Sequence, residues 1–190
     1  GVTRKEHLIP KDKHTRAYID KKTEIEIWGS NLTLEDITAD VVVKAFDVIT
    51  GKETYSKTIE SAFSLPSNRS TEIAAFAVPV SNPGDESRTV VAAYLYSQGE
   101  QIARYINWPE PLKYVHLQKP EELKAVLGKD GKSVEVSAEV PVKGVAVECG
   151  DEGVKFGDNL VDLVPGEVVV IPVEGAGKET VLETRYLGMV

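Results

Sequence analysis

One cysteine, Cys149, and one methionine, Met189, stand among 190 residues. A lone thiol forbids an intrachain disulfide, so packing alone must hold the chain together. No apolar run approaches the roughly 18 residues that a membrane-spanning helix needs. Basic residues are in deficit: the net charge is −8. Residues 1–118 carry 14 basic and 16 acidic side chains (−2), and residues 119–190 carry 8 and 14 (−6). No basic stripe is available to meet phosphates, which excludes nucleic acid and disfavours anionic membrane surfaces. The polar, basic lead Gly1–Lys13 is no signal segment. If the protein is secreted, its signal lies upstream of this piece.

Catalytic signatures are missing too. The chain has no Gly-rich phosphate loop, no Gly-x-Ser-x-Gly elbow and no His-Glu-x-x-His helix. His7, His14 and His116 fall in expected loops or connectors, and none has a ligand three or four residues on, so neither metal nor cofactor is expected. Cys149 ends an apolar stretch with no nucleophile signature around it, as a structural thiol would. The acidic pairs Glu35-Asp36, Asp85-Glu86, Glu121-Glu122 and Asp151-Glu152 sit in turn-like segments. Neighbours on a loop point outward, whereas glycoside cleavage needs two carboxylates converging from rigid elements of a cleft. No catalytic residue is assigned to this chain.

What is present is β vocabulary. Apolar residues make up 42% of the chain, Val, Ile and Thr are abundant, and Gly and Pro punctuate at short intervals. Residues 1–15 have no periodicity and read as a lead-in from something upstream. Thr23–Trp28 alternates, with Ile25 and Ile27 on one face and carboxylates on the other. Ala39–Val48 is more continuous, as in a strand covered on both faces. Thr71–Val80 is the next strand, followed by a turn at Ser81–Asp85. Thr89–Tyr96 and Gln101–Ile106 form a hairpin around Ser97-Gln98-Gly99-Glu100. Seven or so short strands in this length make an immunoglobulin-type sandwich.

A connector follows, Asn107-Trp108-Pro109-Glu110-Pro111-Leu112-Lys113-Tyr114-Val115-His116-Leu117-Gln118-Lys119-Pro120. Its prolines forbid a continuous helix or a central strand, so it is expected to be stiff and extended, with Trp108 and Tyr114 at least half buried. Beyond it, Leu123, Ala125 and Leu127 alternate, Lys129-Asp130-Gly131-Lys132 turns, and Val134, Val136, Ala138 and Val140 alternate again. A short helix over Glu121–Leu127, opened by Pro120, is the competing reading. Further strands fit Val142–Glu148, Gly166–Val173 and Thr180–Leu187. The expected fold class is all-β: two consecutive immunoglobulin-like β-sandwich domains, at 16–118 and 119–190.

Three stretches carry a family resemblance. They are the connector, the segment Tyr18-Ile19-Asp20-Lys21 through Asp36, and Val154-Lys155-Phe156-Gly157-Asp158-Asn159-Leu160-Val161-Asp162-Leu163-Val164-Pro165-Gly166-Glu167. Together they resemble the tail of fungal β-mannosidases of glycoside hydrolase family 2. The last stretch also has a structural reading. Asp158-Asn159 turns through side chain-to-backbone bonds, Leu160 and Leu163 anchor in the core, and Pro165-Gly166 reverses the chain.

The resemblance implies a retaining exo-β-mannosidase with a jelly-roll, an immunoglobulin-like domain, a catalytic barrel and two more immunoglobulin-like domains. Its acid/base Glu follows an Asn. Here the residues after the five asparagines are Leu32, Arg69, Pro83, Trp108 and Leu160, so that motif is absent. The implied partner is a catalytic barrel of the same protein, which would meet the β-mannoside oligosaccharide, while this piece braces it. An exo-β-glucosaminidase or an endo-acting mannosidase of like layout would have a similar tail, and a free-standing adhesion or sugar-binding sandwich is the rival of another class. The relatives imply a secreted or extracellular protein, with a lysosome or vacuole as the alternative. Asn31-Leu32-Thr33 and Asn68-Arg69-Ser70 are glycosylation sequons in expected exposed turns. Trp108 is a candidate for sugar contact at a pocket rim, against a packing role where the domains join.

Overall fold

The structure, a computed structural model, describes residues 1–10, 18–80, 82 and 84–189, without the side chains of 8–10 and 18–21. It divides into two compact units, residues 1–45 with 53–115 and residues 46–52 with 116–190.

The first unit holds β1 (Val2–Pro10), β2 (Tyr18–Asn31), β3 (Ile37–Asp47, whose last two residues count with the second unit), β4 (Glu53–Leu65), β5 (Arg69–Ala77), β6 (Thr89–Ser97) and β7 (Glu100–Asn107). They form two sheets, ordered β1–β2–β5 and β4–β3–β6–β7. Strand β5 returns to pair with β2 across two intervening strands of the other sheet, a Greek-key crossover. The second unit repeats the arrangement with β8 (Lys124–Leu127), β9 (Ser133–Ser137), β10 (Val142–Cys149), β11 (Lys155–Phe156), β12 (Val161–Leu163), β13 (Val169–Glu174) and β14 (Leu182–Arg185). Its sheets run β12–β10–β14 and β11–β13–β9–β8. Each unit is thus a sandwich of a three-stranded and a four-stranded sheet, so the chain is all-β and immunoglobulin-like twice over.

Alternation decides what each core contains. In β2 the odd residues Ile25 and Ile27 are buried, while Glu24 and Glu26 face outward. They join Val41 and Val43 of β3, Ile73 of β5 and Val91 of β6 in one apolar cluster. The second core gathers Val134 and Val136 of β9, Val145 and Val147 of β10, Leu163 of β12, and Ile171 and Val173 of β13. Burying each such side chain is worth about 1.5–3 kcal/mol. Both hairpins close as their turn residues require. Gln98 and Gly99 take left-handed φ of 53° and 85° between β6 and β7, and Gly131 takes 66° between β8 and β9. Residues 124–127 are therefore strand and not helix.

Several expectations are corrected. Residues 2–10 are no unpatterned lead-in: β1 pairs antiparallel with β2 from Val2↔Ile27 to Pro10↔Tyr18. Strand β4 went unnoticed in the sequence. Continuous burial belongs to Thr89–Tyr94 of β6, while β3 largely alternates between buried and half-exposed residues. The connector is not extended throughout, since Leu112–Tyr114 forms a 3-10 turn after a cis Glu110–Pro111 bond. Tyr114 is exposed, with the Lys113 ammonium 4.8 Å from its ring centroid. Of the turn expected over Ser81–Asp85, Ser81 and Pro83 lie outside the described residues, as does His14.

The Asp158–Glu167 segment shows how side chains repair a broken ladder. The β10–β12 register shifts between Val142 and Val145, where Gly144 takes φ 62°. Asn159 fills the gap as a strand would: its Nδ2 donates to Val147 O (2.8 Å) and its Oδ1 accepts from Val147 N (2.9 Å). Asp162 Oδ1 accepts from Gly144 N at 2.8 Å, and Lys143 lies 3.3 Å from its other oxygen. Leu163 is buried as expected, but Leu160 is exposed and sits at φ 62°, so it anchors nothing.

Two substitutions separate these roles in chemical denaturation. Asn159→Ala leaves two part-buried backbone groups unpaired and is expected to cost about 2–4 kcal/mol, each group contributing about 1–2. Leu160→Gly relieves a left-handed backbone without losing core and is expected to be neutral or stabilising by up to about 1 kcal/mol.

Candidate functional site

Four places in the first unit gather polar or aromatic side chains. The broadest is a groove of about 870 Å³ lined by residues 33–40, Ala62 and Tyr96–Gln98. Its carboxylates are Glu35, Asp36 and Asp40. Asp36 Oδ1 accepts from Ser67 N at 2.7 Å, and Asp40 Oδ1 accepts from Ala62 N at 2.8 Å, where Ala62 bends β4 with φ 51°. Both acids are committed to main-chain amides, Asp40 to the edge strand β4 and Asp36 to the turn that follows it. Their geometry is that of turn supports, not of a pair flanking a glycosidic bond.

The second place is Asn31. The sequence reading put it in an exposed turn, and the structure corrects this: only 3% of its surface is accessible. Its Nδ2 donates to Glu35 O (2.8 Å) and Leu65 O (2.9 Å). Its Oδ1 accepts from Thr33 N and Thr33 Oγ1. Sequon spacing here serves an Asx turn that closes the β2–β3 loop. Both amide hydrogens a glycan would need are already donated. Asn68 differs: it is exposed, at φ 49°, with its N–H donated to Thr33 O.

The third is the end of β7. Trp108, the candidate for a pocket rim, is only 5% accessible, so it has no open face for a sugar. Beside it in sequence, Asn107 accepts from Arg4 Nε (3.0 Å) through Oδ1 and donates to Val2 O (3.3 Å). Arg4 also donates to Glu86 O (2.7 Å) and Thr89 O (2.8 Å). Burial lowers the Arg4 guanidinium to about 10, against the opposing pull of Glu110, Glu6 and Glu86. It stays charged at neutral pH and ties β1 to the start of β6 and the end of β7. Sequence reasoning missed this cluster, because an inward-facing arginine in β1 looks like a break in the pattern.

The fourth is the outer face of the β1–β2–β5 sheet, where Trp28 is 44% accessible. The parity that put Glu24 and Glu26 outward places Trp28 there as well, so a signal for it existed.

The remaining candidates disperse. His7 lies on β1, 3.3 Å from the Glu24 carboxylate, and not in a loop, while His116 is exposed. Cys149 is half-buried at the end of β10. Among the described residues, no three His, Cys, Asp or Glu side chains gather in a way that could hold a metal. No helix among them is long and apolar enough to cross a membrane.

Fold and site together define a tandem of immunoglobulin-type sandwiches whose polar side chains serve the main chain. Comparison with known proteins narrows the class. Residues 23–114 match the model of the mannosidase Ig/CBM-like domain, and residues 117–185 match an Ig-fold domain model of mannosidase type. The first unit thus carries a mannosidase Ig/CBM-like domain and the second an Ig-fold domain. It is 65% identical over its whole length to β-mannosidase B of Thermothelomyces thermophilus, and 30% identical over 92% of its length to β-mannosidase B of Aspergillus niger. It spans 23% and 21% of those relatives, about a fifth to a quarter of each. The solved β-D-mannosidase of Dictyoglomus thermophilum matches 97% of the chain with a TM-score of 0.63, at 15% identity and over 21% of its own length, which supports the fold.

The buried role of Asn31 has a direct check. Asn31→Asp removes two donors from buried carbonyls and is expected to lower unfolding free energy by about 1–3 kcal/mol, measured by denaturant titration. Asn68→Asp, at an exposed position, should change it by less than about 0.5 kcal/mol.

Proposed function

We propose that this chain is the C-terminal, non-catalytic part of a retaining exo-β-mannosidase that removes terminal non-reducing β-D-mannose, and that it braces the catalytic barrel of the same polypeptide. The observation that carries this is the 65% identity along the whole chain to a β-mannosidase B of which it spans under a quarter. Retaining cleavage needs an acid/base and a nucleophile about 5–5.5 Å apart in a preorganised cleft. The carboxylates Asp36, Asp40 and Asp162 instead hold backbone amides. The chemical step then belongs to the barrel, and these sandwiches supply rigidity.

The same reading makes the protein secreted, with Asn68 as its glycan acceptor. An exposed amide on a tight turn is open to a transferase, whereas Asn31 is closed by its own bonds. Expressed through a eukaryotic secretory pathway, Asn68→Gln should abolish the mass shift on deglycosylation. Asn31→Gln should leave that shift in place.

Activity is tested by subtraction. The complete protein should hydrolyse an aryl β-mannoside, and this chain alone should not do so above background. Glu35→Gln and Glu121→Gln in the complete protein should leave kcat/KM within about twofold and its pH profile unshifted, as neither group acts on the substrate. Truncation after Pro120 should lower the melting temperature. Loss of turnover in either Glu→Gln variant at an unchanged melting temperature would falsify the bracing role.

A further inference from the structure

Trp28 stands on the outer face of the three-stranded β1–β2–β5 sheet. Register places its surroundings: Glu26 pairs with Ala75, Trp28 with Glu72 and Ser30 with Ser70 across β2 and β5, and Thr3 lies opposite Glu26 on β1. The indole is seated over Gly1, where a Cβ would come within 2.4 Å of its ring, so the glycine lets the ring lie across the sheet. A groove of about 610 Å³ runs past it, lined by Glu26, Trp28, Ser70, Glu72 and Ala75 among others. Along β5 the floor from Ser70 to Ala75 is about 17 Å long at strand rise, enough for a few pyranose rings. The volume is in the usual range for ligand clefts, about 300–1,000 Å³.

We propose that this face is a binding site for a neutral oligomannoside chain. The chemistry of the groove selects that ligand class. A pyranose presents an apolar C–H face that an exposed aromatic ring covers well, and hydroxyls that carboxylates and serine hydroxyls bond at the rim. Glu72 is exposed. Ser30 and Ser70 sit 2.7 Å apart, sharing one hydrogen bond and keeping further lone pairs for a ligand. Ala75 leaves room beside the ring. The sheet face carries Glu24, Glu26 and Glu72 against Lys22 and Lys5, the latter bonded to Glu26, with His7 3.3 Å from Glu24, so carboxylates are in excess and an anionic polysaccharide is disfavoured. Naming mannose rests on the proposed function; the polyol-binding chemistry of the face does not.

The test uses the complete polypeptide, as wild type and with Trp28→Ala, Trp28→Phe and Glu72→Gln. Retention in native gels containing soluble mannan reads binding, and hydrolysis of a small aryl β-mannoside reads the chemical step. Trp28→Ala is expected to weaken retention at least fivefold, Glu72→Gln two- to threefold, and Trp28→Phe least, with aryl-mannoside kinetics unchanged in all three. If Trp28→Ala lowers the melting temperature, Glu72→Gln at its exposed site carries the test. Retention equal to wild type in Trp28→Ala and Glu72→Gln overturns the proposal, and so does acidic polysaccharide retained as well as mannan. Trp28-dependent retention in a protein inactive on the aryl mannoside would uphold the binding face while refuting the catalytic assignment of its parent.

Discussion

A buried backbone N–H or C=O without a partner costs as much as a lost hydrogen bond, and a small sandwich cannot satisfy them all by strand pairing. Its strands must bulge and change direction to wrap a core, and each bend interrupts a ladder. In this chain the interruptions are closed by Asn and Asp. Asn159 imitates a strand against Val147, and Asp162 takes the amide that the bulge at Gly144 strands. Asn31 holds the β2–β3 loop, Asp40 holds an amide of β4 and Asp36 one of the β4–β5 turn, and Asp47 caps the turn at Ile49 and Thr50. The apolar clusters supply the free energy of folding. The short polar side chains decide which arrangement of strands closes these interrupted backbone ladders.

That division explains what was legible in the sequence. The hairpins of β6–β7 and β8–β9 were readable because Gln98-Gly99 and Asp130-Gly131 carry a backbone requirement in their residue types. The inward set of β2 was readable because its period of two is unbroken. Strand β1 was not, since Arg4 takes an inward position and interrupts the alternation. Strand β4 hid for another reason: its half-buried apolar residues Tyr55, Ile59 and Phe63 are spaced by four, which suits a helix stripe as well as an edge strand. Leu160 was misread because leucine signals burial, while its left-handed backbone and exposure follow from the Asn159 bonds beside it.

The functional residues divide in the same way. The turn-like setting of the Glu35-Asp36 pair was readable, and there Asp36 holds the amide of Ser67. Accessibility was not: of two sequons only Asn68 presents its amide, because the Asn-x-Thr spacing also builds an Asx turn. The two tryptophans exchange the roles their contexts imply. Trp108, next to prolines in a connector, is buried, and Trp28, inside an alternating strand, lies open. Proline spacing restrains the backbone but says nothing of what covers a ring, whereas strand parity assigns a face to every residue.

The carboxamides that close the loops also set a chemical clock. At Asn31 and Asn159 the nitrogen donates to carbonyls, to Glu35 and Leu65 in one case and to Val147 in the other. Loss of ammonia from either side chain would replace a donor with a carboxylate oxygen facing a carbonyl oxygen, turning attraction into repulsion. Amide hydrolysis is a slow route by which heat and age damage proteins. Here it would strike the groups that stand in for strand pairing, and a preparation would lose its sandwiches one aged asparagine at a time without any cut in the chain.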